Sequence, residues 1–153
     1  MATFPSSLED HLGYWLRMLS NEVSAAFARR LENHGVSVAQ WVVLRILFER
    51  RDCSLAELSG ALDMDKGALS RMIERLVKLG LVKREENARS RREVVLSLTR
   101  KAELLVPVLA KEADRNDRSF FAVLTERQRA DFSKTIKLLI ASRVETAPKP
   151  PLT

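Results

Sequence analysis

The hydrophobic pattern of residues 54–99 changes its period once, at Gly80. Before Gly80 the apolar residues recur every three or four positions, which is typical of amphipathic helices. After Gly80 come two runs rich in β-branched and apolar residues, Leu81–Glu85 and Glu93–Leu98, separated by the mostly polar segment Glu86–Arg92. Such runs predict two short strands joined by a loop, that is, a small antiparallel hairpin. The chain must therefore place one hairpin directly after a helical segment.

Three start signals of one kind, S/T-x-x-E/Q, mark the beginnings of other helices. In this capping box, the hydroxyl and the Glu or Gln side chain satisfy backbone N–H groups that a helix start leaves unpaired. The boxes begin at Ser37, Ser54 and Thr125. The helices that they predict cover residues 38–50, 55–60 and 126–143.

Two longer helices complete the expected architecture. Apolar residues recur in steps of three and four from Leu8 to Leu31, which predicts one long amphipathic helix with a stop at Gly35. Another helix follows Thr99, and Pro107 is expected to bend it because proline removes a backbone donor. The chain holds only five Gly and five Pro, which argues against an all-β fold. The fold class is therefore mainly α with a small β-hairpin.

The helix predicted between Asp65 and Gly80 has two sides of opposite character. At 100° per residue its outer half is polar and mostly basic, and its inner half is apolar, with Val77 as an exception at the edge. The outer half comprises Lys66, Gly67, Ser70, Arg71, Glu74, Arg75 and Lys78. The inner half comprises Ala68, Leu69, Met72, Ile73, Leu76 and Leu79.

A short helix, a four-residue turn and this half-basic helix have the layout of a helix-turn-helix. In that motif the second helix lies in the major groove, and its N-terminal residues meet base edges. Lys66, Ser70 and Arg71 occupy the leading end, where the small Gly67 permits close approach, and Arg75 lies further back towards the phosphates. The alternative is an ordinary amphipathic helix with a solvated face.

The net charge of +6 is concentrated in the hairpin. Residues 81–101 carry seven basic and three acidic side chains, which is two-thirds of the excess. The segment between the strands contains Arg89, Arg91 and Arg92, and a basic tip of this kind can reach phosphates or a narrow minor groove. A solvated turn that only keeps the protein soluble is the alternative for the hairpin alone. Beside a helix-turn-helix pattern, the charge favours a nucleic-acid partner.

Taken together, these segments resemble the MarR family of bacterial transcription regulators. The resemblance extends to the flanks, from HLGYW at 11–15 through WVVL at 41–44 to the C-terminal helices, and so covers nearly the whole chain. The motifs that carry it are LAEL at 55–58, MDKGALSRMIERL at 64–76, GLVKR at 80–84, the Arg pair at 91–92 and LSLT at 96–99.

The resemblance implies a homodimeric winged helix-turn-helix protein whose N- and C-terminal helices intertwine. It implies binding to a pseudo-palindromic operator, usually as a repressor that a small ligand or an oxidant releases. Lys66, Ser70 and Arg71 match recognition-helix contacts, and Arg92 matches the wing Arg that enters the minor groove. The sequence departs from the family at Ser90, where an Asp that helps to orient the wing is usual.

The predicted organisation is a single MarR-type domain over residues 1–153. Its DNA-binding lobe covers about 37–99, its dimerisation helices about 8–35 and 100–143, and its flexible tail 144–153. The residues themselves also favour dimerisation, because the apolar stripe of the first helix exceeds what a small winged domain needs to cover its own core.

Four residues are candidates for an effector pocket, which in this family lies between the dimerisation helices and the DNA-binding lobe. They are His11, Tyr14, Trp15 and Trp41, and a histidine among aromatic rings would suit an aromatic carboxylate. The alternative is that Trp15 and Trp41 are core aromatics.

The remaining chemistry is sparse. The single Cys53 excludes an intrachain disulfide and suits a reducing cytoplasm. Oxidant sensors of the family usually place their cysteine in the first helix, which has none here, so an inert thiol is the favoured interpretation. No Cys/His cluster, phosphate loop or nucleophile motif occurs, so neither a metal, a cofactor nor an enzymatic activity is expected. No signal peptide or membrane span is recognised, and a cytoplasmic location is expected.

Three functions remain open at this point. The favoured one is a sequence-specific transcription regulator. The others are a nucleoid-type DNA binder without sequence preference and a winged helix that binds protein rather than DNA.

Overall fold

The computed structural model describes residues 5–87 and 90–144, and the side chains of 87, 90–93, 143 and 144 are not part of that description. The tail expected to be flexible therefore falls outside the described residues beyond Val144. In chain order the elements are α1 (Leu12–Leu31), α2 (Val38–Arg50), β1 (Asp52–Ser54), α3 (Leu55–Leu62), α4 (Lys66–Lys78), β2 (Val82–Asn87), β3 (Ser90–Leu98), α5 (Arg100–Phe120) and α6 (Glu126–Val144).

The chain divides into two compact units, Met1–Asn116 and Asp117–Thr153. The first holds the elements from α1 through most of α5, and the second holds the end of α5 with α6. Within the described residues, no helix is long and apolar enough to cross a bilayer. The architecture is mainly α with a small sheet, as the hydrophobic pattern predicts.

All three predicted capping boxes form. At α3, the Glu57 N–H donates to Ser54 Oγ at 3.1 Å, and the Ser54 N–H donates to Glu57 Oε2 at 2.7 Å. The equivalent bonds join Ser37 to Gln40 and Thr125 to Gln128. Because these signals are local, α2 and α6 begin where predicted, while α3 ends two residues later than expected, at Leu62.

The first helix is less continuous than its stripe predicts. A 3-10 turn over Leu8–Asp10 precedes α1, and His11 between them is extended, with φ −101° and ψ 117°. A second 3-10 turn, Glu32–His34, follows α1 before Gly35 ends it at φ 65°. The predicted stop is thus confirmed, but its helix is interrupted near the start.

The core of the first unit is built from every element of that unit. On α1 only Phe27 and Leu31 are buried. Among the side chains that the structure describes, one polar group is buried with them: Asn116 on α5, whose Nδ2 donates to the Val23 carbonyl at 3.4 Å. The other fully buried large side chains are Val43, Leu44, Leu47, Leu58, Leu69, Ile73, Leu76, Leu96, Val106 and Leu109.

The sheet corrects the predicted hairpin in two ways. First, it has three antiparallel strands in the order β1-β3-β2, with Cys53 opposite Leu96, whereas the sequence predicts only two. β1 has three residues, which is too short to show a period. Second, β2 and β3 extend through most of the predicted loop, because Asn87 pairs with Ser90. Backbone pairing, which the side-chain pattern does not report, continues into the polar segment.

Candidate nucleic-acid interface

The turn between α3 and α4 is tied down by Ser59. The Ser59 Oγ donates to the Met64 carbonyl at 2.6 Å, and the Met64 N–H donates to the Ser59 carbonyl at 3.2 Å. Asp63 ends α3 in the left-handed conformation, at φ 47°. The turn spans residues 63–65, one fewer than predicted. These bonds fix the direction in which α4 leaves the turn.

α4 is held along one side and fixed at both ends. Asp65 caps it, since its Oδ2 accepts the Ala68 N–H at 2.9 Å. Leu69, Ile73 and Leu76 are buried and attach its inner side to the core. Gly80, at φ 69°, ends it with a left-handed residue, a conformation that glycine adopts without strain. The outer half of α4 faces solvent.

The outer half carries five of the eight predicted contact residues. Lys66, Gly67, Arg71 and Arg75 are exposed, and Ser70 is half-buried at the edge of the same side. One inner position was predicted wrongly: Leu79 is 43% exposed, because it follows the last residue of α4 and no longer shares its buried side.

The other three predicted contacts belong to the wing, which is the β2–β3 hairpin. The backbones of Arg91 and Arg92 lie in β3, between Ser90 and Val94, where the register with β2 shifts. Their side chains, and the whole of Arg89, lie outside the described residues. Their contacts with DNA stay predictions.

A cavity of about 250 Å³ separates the wing from the helix pair. Lys66 and Ser70 of α4 line it together with Arg84 of β2, which was not among the predicted contact residues. The sequence places Arg84 in a strand, but only the folded structure shows that it lines the same cavity as Lys66 and Ser70. The start of α3 lines the same cavity through Ser54, Leu55 and Ala56.

Three of the four effector-pocket candidates lie together at the start of α1. The Trp15 indole N–H donates to the Glu9 carbonyl at 2.8 Å, and its ring meets Tyr14 edge-on at 5.2 Å. A ring nitrogen of His11 lies 2.9 Å from the Ser7 carbonyl. The fourth candidate lies apart from them. Trp41 packs edge-on against Phe27 with the ring centroids 6.2 Å apart, about three turns further along α1.

Cys53 is buried in β1, with 3% of its surface exposed. Burial raises the pKa of its thiol, because a thiolate loses solvation there. Since the thiolate is the reactive form, the environment of Cys53 favours the inert interpretation.

The helix pair α3–α4 followed by the β2–β3 wing defines a winged helix-turn-helix, a DNA-binding fold. The MarR family model matches residues 36–94, which contain α3, α4 and β2. The chain is 26% identical over 110 residues to the HTH-type transcriptional regulator MgrA of Staphylococcus aureus, covering 71% of this chain and 75% of that protein.

Solved structures agree. A MarR mutant from E. coli in complex with operator DNA superposes with a TM-score of 0.82 and 25% identity, covering 88% of this chain and 99% of the other. Bordetella bronchiseptica BpsR, studied for regulation of its DNA binding by 6-hydroxynicotinic acid, shares the fold with a TM-score of 0.80 and 24% identity, covering 95% and 100%. Over residues 36–94 the chain is similar to the MarR-family transcriptional regulators, and it shares their DNA-binding fold.

Proposed function

We propose that two copies of this chain bind a pseudo-palindromic operator as a repressor, and that a small ligand releases them. The observation that carries the proposal is the outer side of α4. Its exposed Lys66, Arg71 and Arg75 stand on a helix whose opposite side is buried. A rod of this width enters the major groove, where Arg and Lys bind guanine edges or phosphates.

The dimer is proposed from apolar surface that the chain leaves open. Leu12 on α1 is 80% exposed, and Trp15 and Leu16 beside it are about half exposed. In the other unit, Leu138, Leu139 and Ile140 on α6 are also exposed. Residues of this kind mark an interaction surface when they are contiguous. A two-fold dimer would present its two copies of α4 about 34 Å apart, one turn of DNA.

Within this proposal the lobes keep their predicted roles, with residues 37–99 binding DNA and the flanking helices dimerising. Both parts are needed, because residues 37–99 of each copy read one half-site and the flanking helices hold the two copies together. The wing residues Arg89, Arg91 and Arg92 would reach the adjacent minor groove, as their charge predicts.

The ligand-release step is supported by BpsR, whose DNA binding is regulated by 6-hydroxynicotinic acid. In this chain the candidate pocket is the group His11, Tyr14 and Trp15, and Trp41 would be its fourth member where the start of α1 from a partner copy meets α2. Its test is Trp15→Leu. The variant should keep its DNA affinity but lose release by 6-hydroxynicotinic acid. Release equal to that of the unchanged protein would exclude Trp15 from the pocket.

The test of the main proposal begins with selection of bound fragments from the source genome. Fluorescence anisotropy then compares the enriched duplex with a random duplex at one salt concentration. A regulator should prefer its site by about 10³-fold or more. A small ratio would identify a nucleoid-type binder, and no binding even at low salt would identify a protein-binding winged helix.

Two substitutions separate base reading from phosphate contact. Arg71→Ala should cost about 1–3 kcal/mol and relax the preference at one base pair. Arg92→Ala should weaken binding to every duplex and lower the salt slope by about one. Arg127→Ala on α6 removes the same charge from another part of the chain and serves as the control. Equal, negligible effects at Arg71 and Arg92 would overturn the site assignment.

A further inference from the structure

The C-terminal end of α4 is hydrogen-bonded to the start of α5. The Lys101 Nζ donates to the Leu79 carbonyl at 3.0 Å, and the Thr99 hydroxyl donates to the Gly80 carbonyl at 2.7 Å. The Thr99 N–H donates to the next carbonyl, that of Leu81, at 3.1 Å. Three successive carbonyls at the end of α4 are therefore bonded to two residues at the start of α5. We call this set of bonds the α4–α5 junction.

Lys101 is placed better for α4 than for α5. It lies in the first turn of α5, where a helix favours negative charge, so its charge slightly opposes its own helix. The C-terminus of a helix favours positive charge, and the Lys101 ammonium group lies there, on the Leu79 carbonyl of α4. The bond to α4 therefore accounts for this lysine better than the stability of α5 does.

Thr99 uses both hydrogen-bonding capacities of its hydroxyl group. The oxygen accepts the Ala102 N–H at 3.2 Å, which caps the start of α5. The proton is donated to the Gly80 carbonyl. A single side chain therefore joins the first turn of α5 to the end of α4.

The two ends of α4 are tied to different parts of the chain. At its N-terminal end, the bonds between Ser59 and Met64 join α4 to α3, within the helix-turn-helix itself. At its C-terminal end, the α4–α5 junction joins it to the helix that leaves the winged domain. Between the ends, the buried side of α4 is held by apolar packing, which is not directional. The directional bonds at the two ends therefore define the direction of α4.

We propose that Thr99 and Lys101 are positioning residues for α4, because the α4–α5 junction fixes the direction of α4 relative to α5. This inference rests on the proposed function, in which α4 reads one half-site and α5 is a dimerisation helix. The junction then sets the distance and angle between the two copies of α4 in the dimer. Such a dimer accepts one half-site spacing, since another spacing can be bound only by breaking the junction.

The junction acts on the choice of spacing rather than on the reading of bases. It lies at the C-terminal end of α4, whereas the N-terminal end of a recognition helix meets the base edges. Loss of the junction therefore leaves the base contacts of each copy intact and removes the cost of binding misplaced half-sites. That cost is limited by the hydrogen bonds that must break, and one such bond corresponds to about fivefold in affinity.

The test is Lys101→Met in the full chain, because methionine keeps an unbranched side chain but has no donor. Fluorescence anisotropy compares the enriched operator, the same operator with one base pair inserted between its half-sites, and a single half-site. The ratio of the two operator dissociation constants should fall about fivefold, because the inserted operator is bound more tightly. Affinity for the single half-site should change by less than about twofold, since its base contacts remain.

A double variant removes both side-chain donors of the junction. Thr99→Val with Lys101→Met should lower the same ratio by about tenfold or more. Thr99→Ser with Lys101→Arg keeps a hydroxyl and a cationic donor, so this pair should restore the ratio of the unchanged protein. Thr99→Val also removes the cap of α5, so Lys101→Met alone decides the outcome if the double variant does not fold.

Arg100→Met is the matched control. It removes the same charge from the neighbouring residue, whose Nη1 lies 3.1 Å from Glu103 Oε2 within α5. Through its charge it should shift the affinities for all three duplexes together and leave the spacing ratio unchanged. If Lys101→Met behaves in the same way, the lysine contributes only charge and its positioning role is overturned. A lower melting temperature with an unchanged ratio would equally overturn it, since the junction would then only stabilise the fold.

Failure of this inference can be told apart from failure of the proposed function. If the unchanged protein does not discriminate between the operator and random DNA, the proposed function itself fails. If it discriminates but binds both half-site spacings equally well, the function stands and the role of the junction is overturned. The same conclusion follows if the spacing ratio is equal in the unchanged protein and in Lys101→Met.

Discussion

α1 and α4 carry apolar stripes of the same helical period, yet the chain covers the stripe on α4 far more fully than the stripe on α1. Leu69 and Leu76 on α4 have no exposed surface, whereas Leu12 on α1 is 80% exposed and Leu16 is 46% exposed. Both stripes satisfy the pattern of a core-facing helix. The difference shows that the pattern reports which side of a helix is apolar but not which molecule covers it.

The largest expected effect is the loss of stability caused by a substitution in the buried stripe of α4. Leu69→Ala removes a fully buried side chain, so the free energy of unfolding should fall by about 2–5 kcal/mol, and DNA binding should be lost with the fold. Urea titration measures the change. Val77→Ala on the exposed edge of α4 is the control, with an expected change within about 0.5 kcal/mol. Similar losses in both variants would mean that α4 is not anchored through its inner side.

A substitution in the exposed stripe of α1 should instead weaken the association of two copies of the chain. Leu12→Ser should change the free energy of unfolding of a single chain by less than about 0.5 kcal/mol, because most of the Leu12 side chain is already exposed in that chain. If a partner covers Leu12, the dimer dissociation constant should rise roughly tenfold or more, as expected for a buried leucine. Sedimentation equilibrium measures this constant.

The control for Leu12→Ser is Arg17→Ser, on the polar side of the same helix. It should leave the dimer intact. A monomeric unchanged protein, or a dimer that both variants leave untouched, would show that the α1 stripe is not the interface.

The same contrast explains which helices and strands of the structure could be predicted from the sequence. The capping boxes at Ser37, Ser54 and Thr125 and the stop at Gly80 were predictable, because each depends on residues within one turn. The strand β1 and the extension of the wing to Asn87 were not, because both depend on pairing with β3. Local signals define elements, and cross-strand contacts define where strands end.

In the candidate interface, too, the features set by local sequence could be predicted and those set by contacts between distant segments could not. The outward side of α4 could be predicted from its 100° periodicity, and the structure confirms its exposure. The positions of Asp65 Oδ2 and Arg71 Nη1 beside Gly67 could not, because an apolar periodicity does not report where polar side chains extend. Arg84 was also missed, because its place beside Lys66 depends on how the wing packs against α4.

A stabilising substitution can separate folding from association. Arg51 ends α2 at φ 68° and ψ −69°, a strained conformation for any residue with a side chain. Arg51→Gly should relieve that strain and raise the free energy of unfolding by about 1 kcal/mol. Neither apolar stripe is changed, so the dimer dissociation constant should stay the same. A destabilised variant in urea titration would show that the Arg51 side chain contributes more than its backbone costs.

The smallest expected effect concerns α3, the helix that supports α4. The pKa of Glu57 is lowered, first because its carboxylate accepts the Ser54 N–H and then because it accepts the Ser54 hydroxyl. A carboxylate whose pKa is lower in the folded state contributes stability above its unfolded pKa and loses it as the pH falls through the folded value. Unfolding of the unchanged protein should therefore become easier on acidification below the usual glutamate range.

Glu57→Gln keeps an acceptor for the Ser54 N–H but cannot titrate, so its stability should fall less over the same acid range. Ser54→Ala removes the hydroxyl that donates to Glu57 and also the oxygen that accepts the Glu57 N–H, so it should lower stability at every pH. Its pH slope should be intermediate, because the backbone N–H still favours the charged carboxylate. Urea titrations across the acid range compare the three proteins. Because Glu57 lies on α3 and touches neither stripe, dimer dissociation measured at neutral pH should be equal in all three. Parallel pH profiles would mean that the capping carboxylate does not stabilise the start of α3 through its charge.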